Sequence, residues 1–120
     1  MSDSLVSVRA VNKTYQRGGE KLVVLDDLSL EVPKGYFLAL MGPSGSGKST
    51  LLNILSLIDR PTNGNLLIDN YKINFKENEK NDLIRSSNFG IIYQEKNLLN
   101  DFTALENIKT CFIALINIFL

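Results

Sequence analysis

The 120-residue sequence contains no histidine and only one cysteine, Cys111. Without histidine, the chain lacks the commonest zinc ligand and the commonest general base near neutral pH. One cysteine cannot close an intramolecular disulfide, which fits a reducing compartment, and Cys111 is interpreted as an apolar helix residue. These absences exclude a histidine-ligated zinc site, catalysis by a histidine base and a disulfide framework.

Net charge is also missing, because 13 basic residues balance 13 acidic ones. A neutral chain has no overall attraction to nucleic acid or to an anionic membrane, so no nucleic-acid partner is expected. The N-terminus, MSDSLVSVRA, has an acidic residue and no apolar run, which excludes a secretory signal. The apolar run 111–120 is shorter than the roughly 20 residues that cross a bilayer as a helix. It is interpreted as a helix buried against protein, with a membrane-surface contact as the alternative.

Hydrophobic periodicity in the first half of the chain predicts strands followed by a helix, within a length suited to one domain. Alternating residues predict strands over 4–15 and 22–32, joined by a turn at Gly18-Gly19. The apolar run 36–41, YFLALM, predicts a strand buried on both faces of a parallel sheet. Residues 48–58 have apolar side chains at helical spacing.

The second half is less regular. We expect a turn over 60–64, a short strand over 66–69 and a surface helix and loop over 76–87. Residues 90–94, GIIYQ, predict another strand. Thr103 and Glu106 have the spacing of a capping box, which predicts that a helix begins there.

Residues 42–49, GPSGSGKS, match the pattern G-x-x-x-x-G-K-[ST], with an apolar strand predicted before it and a helix after it. Glycines let backbone N–H groups turn inward, and the positive helix N-terminus helps them to surround a phosphate. Lys48 is expected to reach the β- and γ-phosphate oxygens, and the Ser49 hydroxyl to bind Mg²⁺. The alternative is a Gly/Ser-rich turn between a strand and a helix. The candidate binding residues of this loop are Gly42, Pro43, Ser44, Gly45, Ser46, Gly47, Lys48, Ser49 and Thr50.

Such loops occur in GTPases, small kinases and transporter motors, so the flanking sequence decides between them. Asn12-Lys13-Thr14-Tyr15 ends in tyrosine and precedes the loop, unlike the guanine-binding motif N-K-x-D. Four stretches resemble the N-terminal half of the ATP-binding subunit of an ABC transporter, of the lipoprotein-releasing and macrolide-exporter group. They are VNKTYQRGGEKLVVLDDLSLEVPKG, the loop itself, LLNILSLIDRPTNG and GIIYQEKNLLNDFTALENI.

The resemblance implies an α/β fold, a P-loop NTPase-like ABC nucleotide-binding domain. Residues 1–120 would be its N-terminal part only: the antiparallel β-region, the start of the parallel core, and a helical region beginning near residue 103. The implied cofactors are ATP and Mg²⁺. Tyr15 corresponds to an aromatic residue that stacks on adenine, and the alternative is a strand-end tyrosine packed on its own domain. Gln94 corresponds to a glutamine that joins Ser49 in the Mg²⁺ shell, and the alternative is an ordinary strand-terminal glutamine.

The implied partners are membrane-spanning transporter subunits, which would contact the loop of Gln94, and a second nucleotide-binding subunit. The implied location is the cytoplasmic face of the inner membrane, as a peripheral protein.

The sequence departs from the family pattern after residue 108. The signature LSGGQ, a strand ending in Asp-Glu and a late histidine are absent from residues 1–120. Asp69 is followed by Asn70 rather than Glu, and is interpreted as a turn residue. A frameshift or early stop is hypothesised for the apolar tail. ATP hydrolysis by this chain is therefore left open, and a truncated, non-hydrolysing nucleotide-binding module or pseudogene product is the alternative. A small kinase is disfavoured by the strand-rich N-terminus and by Gln94.

Overall fold

An antiparallel sheet and two short helices dominate the computed structural model, which describes residues 4–92 and 99–109. The chain divides into two compact units, 1–75 and 76–120. The expectation of one partial domain over 1–120 stays a prediction. The elements are β1 (Ser4–Arg17), β2 (Glu20–Pro33), α1 (Lys48–Leu55), β3 (Asn63–Ile68), β4 (Tyr71–Lys72) and α2 (Asn78–Asn88).

Within the described residues the sheet has the strand order β2-β1-β3-β4, and each neighbouring pair is antiparallel. Two-residue loops close both hairpins. Gly18 and Gly19 join β1 to β2 with φ angles of 59° and 85°, as predicted from the sequence. Asp69 and Asn70 join β3 to β4 with φ angles of 48° and 63°. Two consecutive positive φ angles define the turn type whose twist matches that of paired strands.

The core of the first unit is apolar and draws on β1, β2, β3 and α1. Val8 and Leu66 pair directly across β1 and β3 and are 1% and 0% exposed. Ile54 of α1 is also completely buried. Each such side chain stabilises the fold by about 1.5–3 kcal/mol relative to an exposed position. The remaining buried apolar residues are Val11, Leu25, Leu51, Leu57, Ile68 and Ile73.

A β-bulge in β1 lets β3 approach unusually closely. The β1–β3 register shifts between Arg9 and Asn12, and Ala10 within this bulge has φ 49°. Opposite it lies Gly64, with φ 97°, where an added Cβ would overlap the carbonyl oxygen of Ala10 and lie 2.6 Å from Val11 Cα. Only glycine fits this position without moving the strands apart.

Asn12 connects three strands at the same place. Its Nδ2 donates to the Asn63 Oδ1 at 2.6 Å and to the Ala10 carbonyl at 3.1 Å, while its Oδ1 accepts from the Asp27 N–H at 2.8 Å. Asp27 also has a positive φ, 47°. The side chain of Asn12 therefore satisfies backbone groups that the irregular strands leave unpaired.

The predicted helix over 48–58 forms but ends at Leu55. Leu57 has φ 61°, and the Ile58 N–H donates to the Asn53 carbonyl at 2.9 Å, which is the backbone pattern of a helix C-terminus closed by one left-handed residue. Leucine occupies this position in place of glycine because its side chain is buried, at 7% exposure. This closure directs Asp59 back towards β1.

The strand predicted over 36–41 is wrong, and so is the described part of the strand predicted over 90–94. Residues 36–41 and 90–92 are not in strands, and Phe37 and Ile92 are 95% and 93% exposed. A strand depends on backbone hydrogen bonds to a neighbouring strand, and within the described residues the sheet is formed by β1, β2, β3 and β4. The turn expected over 60–64 is shorter than predicted, because Asn63 and Gly64 already belong to β3. Residues 93–94 of the second predicted strand lie outside the described residues.

The second unit contains α2 and the helical residues 104–109. The capping box predicted there is confirmed. Glu106 Oε2 accepts from the N–H and the hydroxyl of Thr103, both at 2.8 Å, and the Glu106 N–H donates to Thr103 Oγ1 at 3.3 Å. The hydrogen bonds from the Thr103 N–H and then its hydroxyl lower the pKa of Glu106. The apolar segment 111–120 and Cys111 lie outside the described residues.

Candidate functional site

The loop of residues 42–47 leads directly into α1. The Ser46 N–H donates to the Pro43 carbonyl at 3.2 Å, which closes a turn at residues 44–45. Gly45 and Gly47 have φ angles of 80° and 96°, which residues with a side chain rarely adopt. These angles allow the chain to double back just before the helix begins at Lys48.

Gly47 touches a second β-bulge, in β2. The β1–β2 register pairs Lys13 with Leu25 and Thr14 with Val23, which leaves Val24 as an extra residue. A Cβ at Gly47 would lie 3.0 Å from the carbonyl oxygen of Val24 and 3.1 Å from Leu25 Cδ2. The last glycine of the loop is therefore required by packing against β2 as well as by its φ angle.

The ammonium of Lys48 lies over the loop. It donates to the carbonyls of Gly42 at 2.5 Å and Pro43 at 2.7 Å, and to Ser46 Oγ at 3.3 Å. A cation at the first helical position is unfavourable for the helix dipole, since the positive end already lies there. The loop carbonyls offset this cost, and the result is a concentration of positive charge at one end of α1.

The first turn of α1 presents further donors. The Leu51 N–H donates to the Gly47 carbonyl at 2.9 Å, so the N–H groups of residues 48–50 have no acceptor within the helix. The side chain of Ser49 is exposed and that of Thr50 is half-buried. The loop residues predicted from the sequence are thus brought together around the N-terminus of α1.

Tyr15 lies near the end of β1 in a cluster that sequence reasoning missed. Its hydroxyl donates to Asp59 Oδ2 at 3.0 Å, and the Lys13 ammonium lies over its ring, 4.8 Å from the centroid. Lys13 also donates to Asp59 Oδ1 at 2.8 Å and to the Arg60 carbonyl at 2.6 Å. One feature of the sequence could have indicated this cluster. Lys13 lies two residues before Tyr15 in the predicted strand, so alternation places both side chains on the same face of the sheet.

Partial burial would raise the pKa of Asp59, but other effects outweigh it. Hydrogen bonds from the Lys13 ammonium, the Arg60 N–H and the Tyr15 hydroxyl, together with the charge of Lys13, hold the pKa below its ordinary value. Lys13 is only 8% exposed, so this ion pair is shielded from water on one side. Asp59 is therefore a charged anchor for both Lys13 and Tyr15.

Tyr15 and the loop lie on the same face of the sheet. Directly paired residues of neighbouring strands share a face, and Lys13 pairs with Leu25 while Tyr15 pairs with Leu22. Leu25 contacts the position of Gly47. The backbone of Leu22 lies two residues, about 7 Å, along β2 from Val24, which the loop touches.

Other sequence-predicted residues lie elsewhere. Asp69 is in the β3–β4 turn, where its carboxylate pairs with Lys34 at 2.7 Å, in agreement with its interpretation as a turn residue. Gln94 lies outside the described residues. Among residues 4–92 and 99–109 there is no cluster of three or more histidine, cysteine, aspartate or glutamate residues suited to a metal. No helix in the same ranges is long and apolar enough to cross a membrane.

Comparison with known proteins decides the family. A family model described as ABC transporter matches residues 25–117. The chain belongs to the ABC transporter family. This confirms the resemblance to the ABC transporter family drawn from the sequence, and the relatives that follow carry the names of the subgroup expected there. The lipoprotein-releasing system ATP-binding protein LolD of Rickettsia bellii is 46% identical over 108 residues, which cover 90% of this chain and 47% of LolD. The macrolide export ATP-binding/permease protein MacB of Vibrio parahaemolyticus is 38% identical over 109 residues, 91% of this chain and 17% of MacB.

Solved structures of ABC transporter cassettes confirm the fold. The dimeric structure of MJ0796, from Methanocaldococcus jannaschii, matches with a TM-score of 0.83 at 41% identity and covers 90% of this chain and 47% of that one. A post-hydrolysis state of MJ0796 bound to ADP and Pi matches with the same TM-score. This ABC transporter chain spans about half the length of the LolD and MJ0796 chains that it matches.

Proposed function

We propose that the chain binds ATP and Mg²⁺ as part of an ABC transporter that couples ATP binding and hydrolysis to export or lipoprotein release. The observation that carries the proposal is the position of the Lys48 ammonium, across the loop of residues 42–47 at the N-terminus of α1. The names of its relatives, a lipoprotein-releasing ATP-binding protein and a macrolide export protein, support the wider role.

The loop suits a phosphate group. Gly42 and Gly47 stand where a side chain would crowd Ser46 Oγ, at 2.9 Å, or the carbonyl of Val24. Lys48 donates to neutral carbonyls and a hydroxyl, and phosphate oxygens, which carry negative charge, would accept the same protons in hydrogen bonds between two ionised groups. The N–H groups of residues 48–50 add donors that have no helical acceptor.

The site suits Mg²⁺ only together with a nucleotide. Mg²⁺ takes oxygen ligands and is usually held by one or two protein groups, water and substrate phosphates. We assign two protein ligands to Mg²⁺. One is Ser49, whose exposed hydroxyl lies in the first turn of α1, and the other is Gln94. When bound, Mg²⁺ neutralises charge on the β- and γ-phosphate oxygens.

Tyr15 is proposed to stack on the adenine base. It is 39% exposed and lies on the sheet face that the phosphate loop touches. Base–aromatic stacking contributes about 1–3 kcal/mol per base.

The test is the affinity of the 120-residue chain for Mg-ATP, measured by titration calorimetry. Lys48→Ala removes charged hydrogen bonds worth about 1.5–3 kcal/mol, so affinity should fall roughly 10- to 150-fold. Lys72→Ala, at an exposed lysine of β4, is the matched control and should bind as the original chain does. Unchanged affinity in Lys48→Ala would refute the phosphate site. Ser49→Ala should remove most of the difference between affinities measured with Mg²⁺ and with EDTA.

The partners are part of the same proposal. We assign the region of Gln94 to contact with membrane-spanning subunits on the cytoplasmic face of the inner membrane. We also assign a second nucleotide-binding subunit, supported by the dimeric cassette to which this chain is similar. Co-purification of the chain with membrane-spanning transporter subunits of the same organism, and its loss on Gln94→Ala, would test the first assignment.

A second candidate function is nucleotide binding without hydrolysis by these 120 residues alone. It is favoured by the sequence, which has no histidine, no LSGGQ stretch and no apolar strand ending in Asp-Glu. Hydrolysis requires an oriented water and positioned charge around the γ-phosphate. Release of phosphate from ATP by the purified chain, abolished by Lys48→Ala, would exclude this candidate.

A further inference from the structure

We infer that Lys13 and Asp59 are positioning residues for the nucleobase, because they hold the Tyr15 ring in the orientation in which it receives the base. This inference rests on the proposed function. It concerns the cluster formed by Lys13, Tyr15 and Asp59, in which each member contacts both of the others.

One hydrogen bond and one cation–π contact restrict the ring. The hydroxyl of Tyr15 is held by Asp59 Oδ2 at 3.0 Å, which limits rotation of the side chain. The Lys13 ammonium lies over one ring face at 4.8 Å and is itself held by Asp59 Oδ1 and the Arg60 carbonyl. A stacked base therefore has to use the opposite face, and the 39% exposure of Tyr15 leaves surface available for it.

Asp59 owes its position to the C-terminus of α1, and Lys48 begins the same helix. The Asp59 N–H donates to the Asn53 carbonyl at 3.1 Å, which ties this residue to the helix body. One eight-residue helix thus presents a phosphate-binding lysine at its start and, just beyond its end, an anchor for the base-binding ring. The distance between the two subsites is set by the length of α1.

The buried Lys13 holds the Tyr15 ring in place before any ligand binds. Immobilising a side chain on binding costs affinity, and a ring that is already held does not incur that cost again. Release of the ring should therefore weaken the binding of ATP roughly two- to tenfold, and it should leave the binding of a ligand without a base unchanged.

The experiment compares Mg-ATP with inorganic tripolyphosphate, which has no base, by titration calorimetry on the 120-residue chain. Tyr15→Phe deletes only the hydroxyl that Asp59 holds, Asp59→Asn removes the charge, and Lys13→Met removes the ammonium over the ring. Each should lower ATP affinity roughly two- to tenfold with tripolyphosphate affinity unchanged. Tyr15→Ala should lower ATP affinity further, by roughly 5- to 150-fold. Lys34→Met and Asp69→Asn, in the exposed ion pair that joins the end of β2 to the β3–β4 turn, are matched controls and should change neither affinity.

Three outcomes overturn the inference. If Tyr15→Ala weakens ATP binding while Tyr15→Phe, Asp59→Asn and Lys13→Met do not, the ring binds the base without help and the proposed function stands. If Asp59→Asn weakens ATP and tripolyphosphate equally, the cluster has only a structural role. If the original chain binds neither ligand, the proposed function itself fails, and this inference fails with it. If Lys13→Met does not fold, Tyr15→Phe is sufficient to test the inference. It removes only the hydroxyl of a partly exposed side chain, so the fold should be retained.

Discussion

The close approach of the β1 backbone to Gly64 supplies a sharp test of the fold. Gly64 lies in β3 against the bulge of β1, and the substitution Gly64→Ala places a methyl group 2.6 Å from Val11 Cα and in overlap with the Ala10 carbonyl. Both obstacles belong to the backbone, so no side chain can rotate away. The strands must separate, or β3 must change its path.

The magnitude has two parts. A residue with a Cβ at φ 97° has a strained backbone, which costs about 1–3 kcal/mol. Forcing a methyl group into a closely packed position costs roughly another 1–3 kcal/mol. Separation of β1 and β3 would also disturb the pairing of Val8 with Leu66, two of the most buried side chains. We therefore expect Gly64→Ala to lower the free energy of unfolding by about 2–6 kcal/mol, a large part of the stability of a small domain.

Gly18→Ala is the matched control. Gly18 also has a positive φ, 59°, but an added Cβ there meets nothing within 4 Å. The expected cost is about 1–2 kcal/mol, from the backbone alone. Urea denaturation followed by far-ultraviolet circular dichroism measures both variants. Equal losses in Gly64→Ala and Gly18→Ala would show that the β1–β3 approach is not as close as described, and would refute the argument.

Three further predictions concern side chains. Asn12→Ala should lower the free energy of unfolding by about 1–3 kcal/mol, since the Asp27 N–H loses its acceptor; an unchanged free energy of unfolding in urea denaturation would contradict this. The pKa of Asp59 is lowered in the folded chain, so the stabilisation by its charge is complete above the unfolded pKa of about 3.9 and is lost as pH falls through the folded value. Asp59→Asn should therefore reduce the fall in melting temperature towards acid pH in thermal unfolding scans between about pH 2 and 6. An unchanged pH dependence in Asp59→Asn would contradict this prediction. Thr103→Ala removes the N-cap of residues 104–109, which stabilises this helical turn by about 1 kcal/mol. Amide hydrogen exchange in residues 104–109 should therefore accelerate several-fold, while exchange in α2 is unchanged. Equal protection of residues 104–109 in Thr103→Ala and in the original chain would contradict the cap.

Local patterns were sufficient for the hairpin of β1 and β2 and for the loop of residues 42–47. Consecutive glycines at 18 and 19 leave few alternatives to a tight turn, and the alternating residues on either side require paired strands. The spacing of Gly42, Gly47 and Lys48 likewise predicts a strained loop at a helix N-terminus, and the described geometry agrees with that conformation. In each case the determining interactions lie within a few residues of one another.

The strand predicted over 36–41 shows where local patterns are insufficient. Its apolar residues suit a buried strand, but a strand exists only if another segment hydrogen-bonds to it, and this is decided by contacts distant in sequence. The sequence could not indicate that Gly64 opposes Ala10, because the bulge that joins them depends on the register between two strands more than 50 residues apart.

The sequence by itself determined the family and the position of the glycine-rich loop at residues 42–47, because these depend on residue type and spacing along the chain. Only the tertiary structure decided the surroundings of Tyr15. Lys13, Tyr15 and Asp59 meet because β1 and the end of α1 fold together across 44 residues of sequence. An ion pair of this kind leaves no periodic signal, since its two charges are fixed by packing rather than by local spacing.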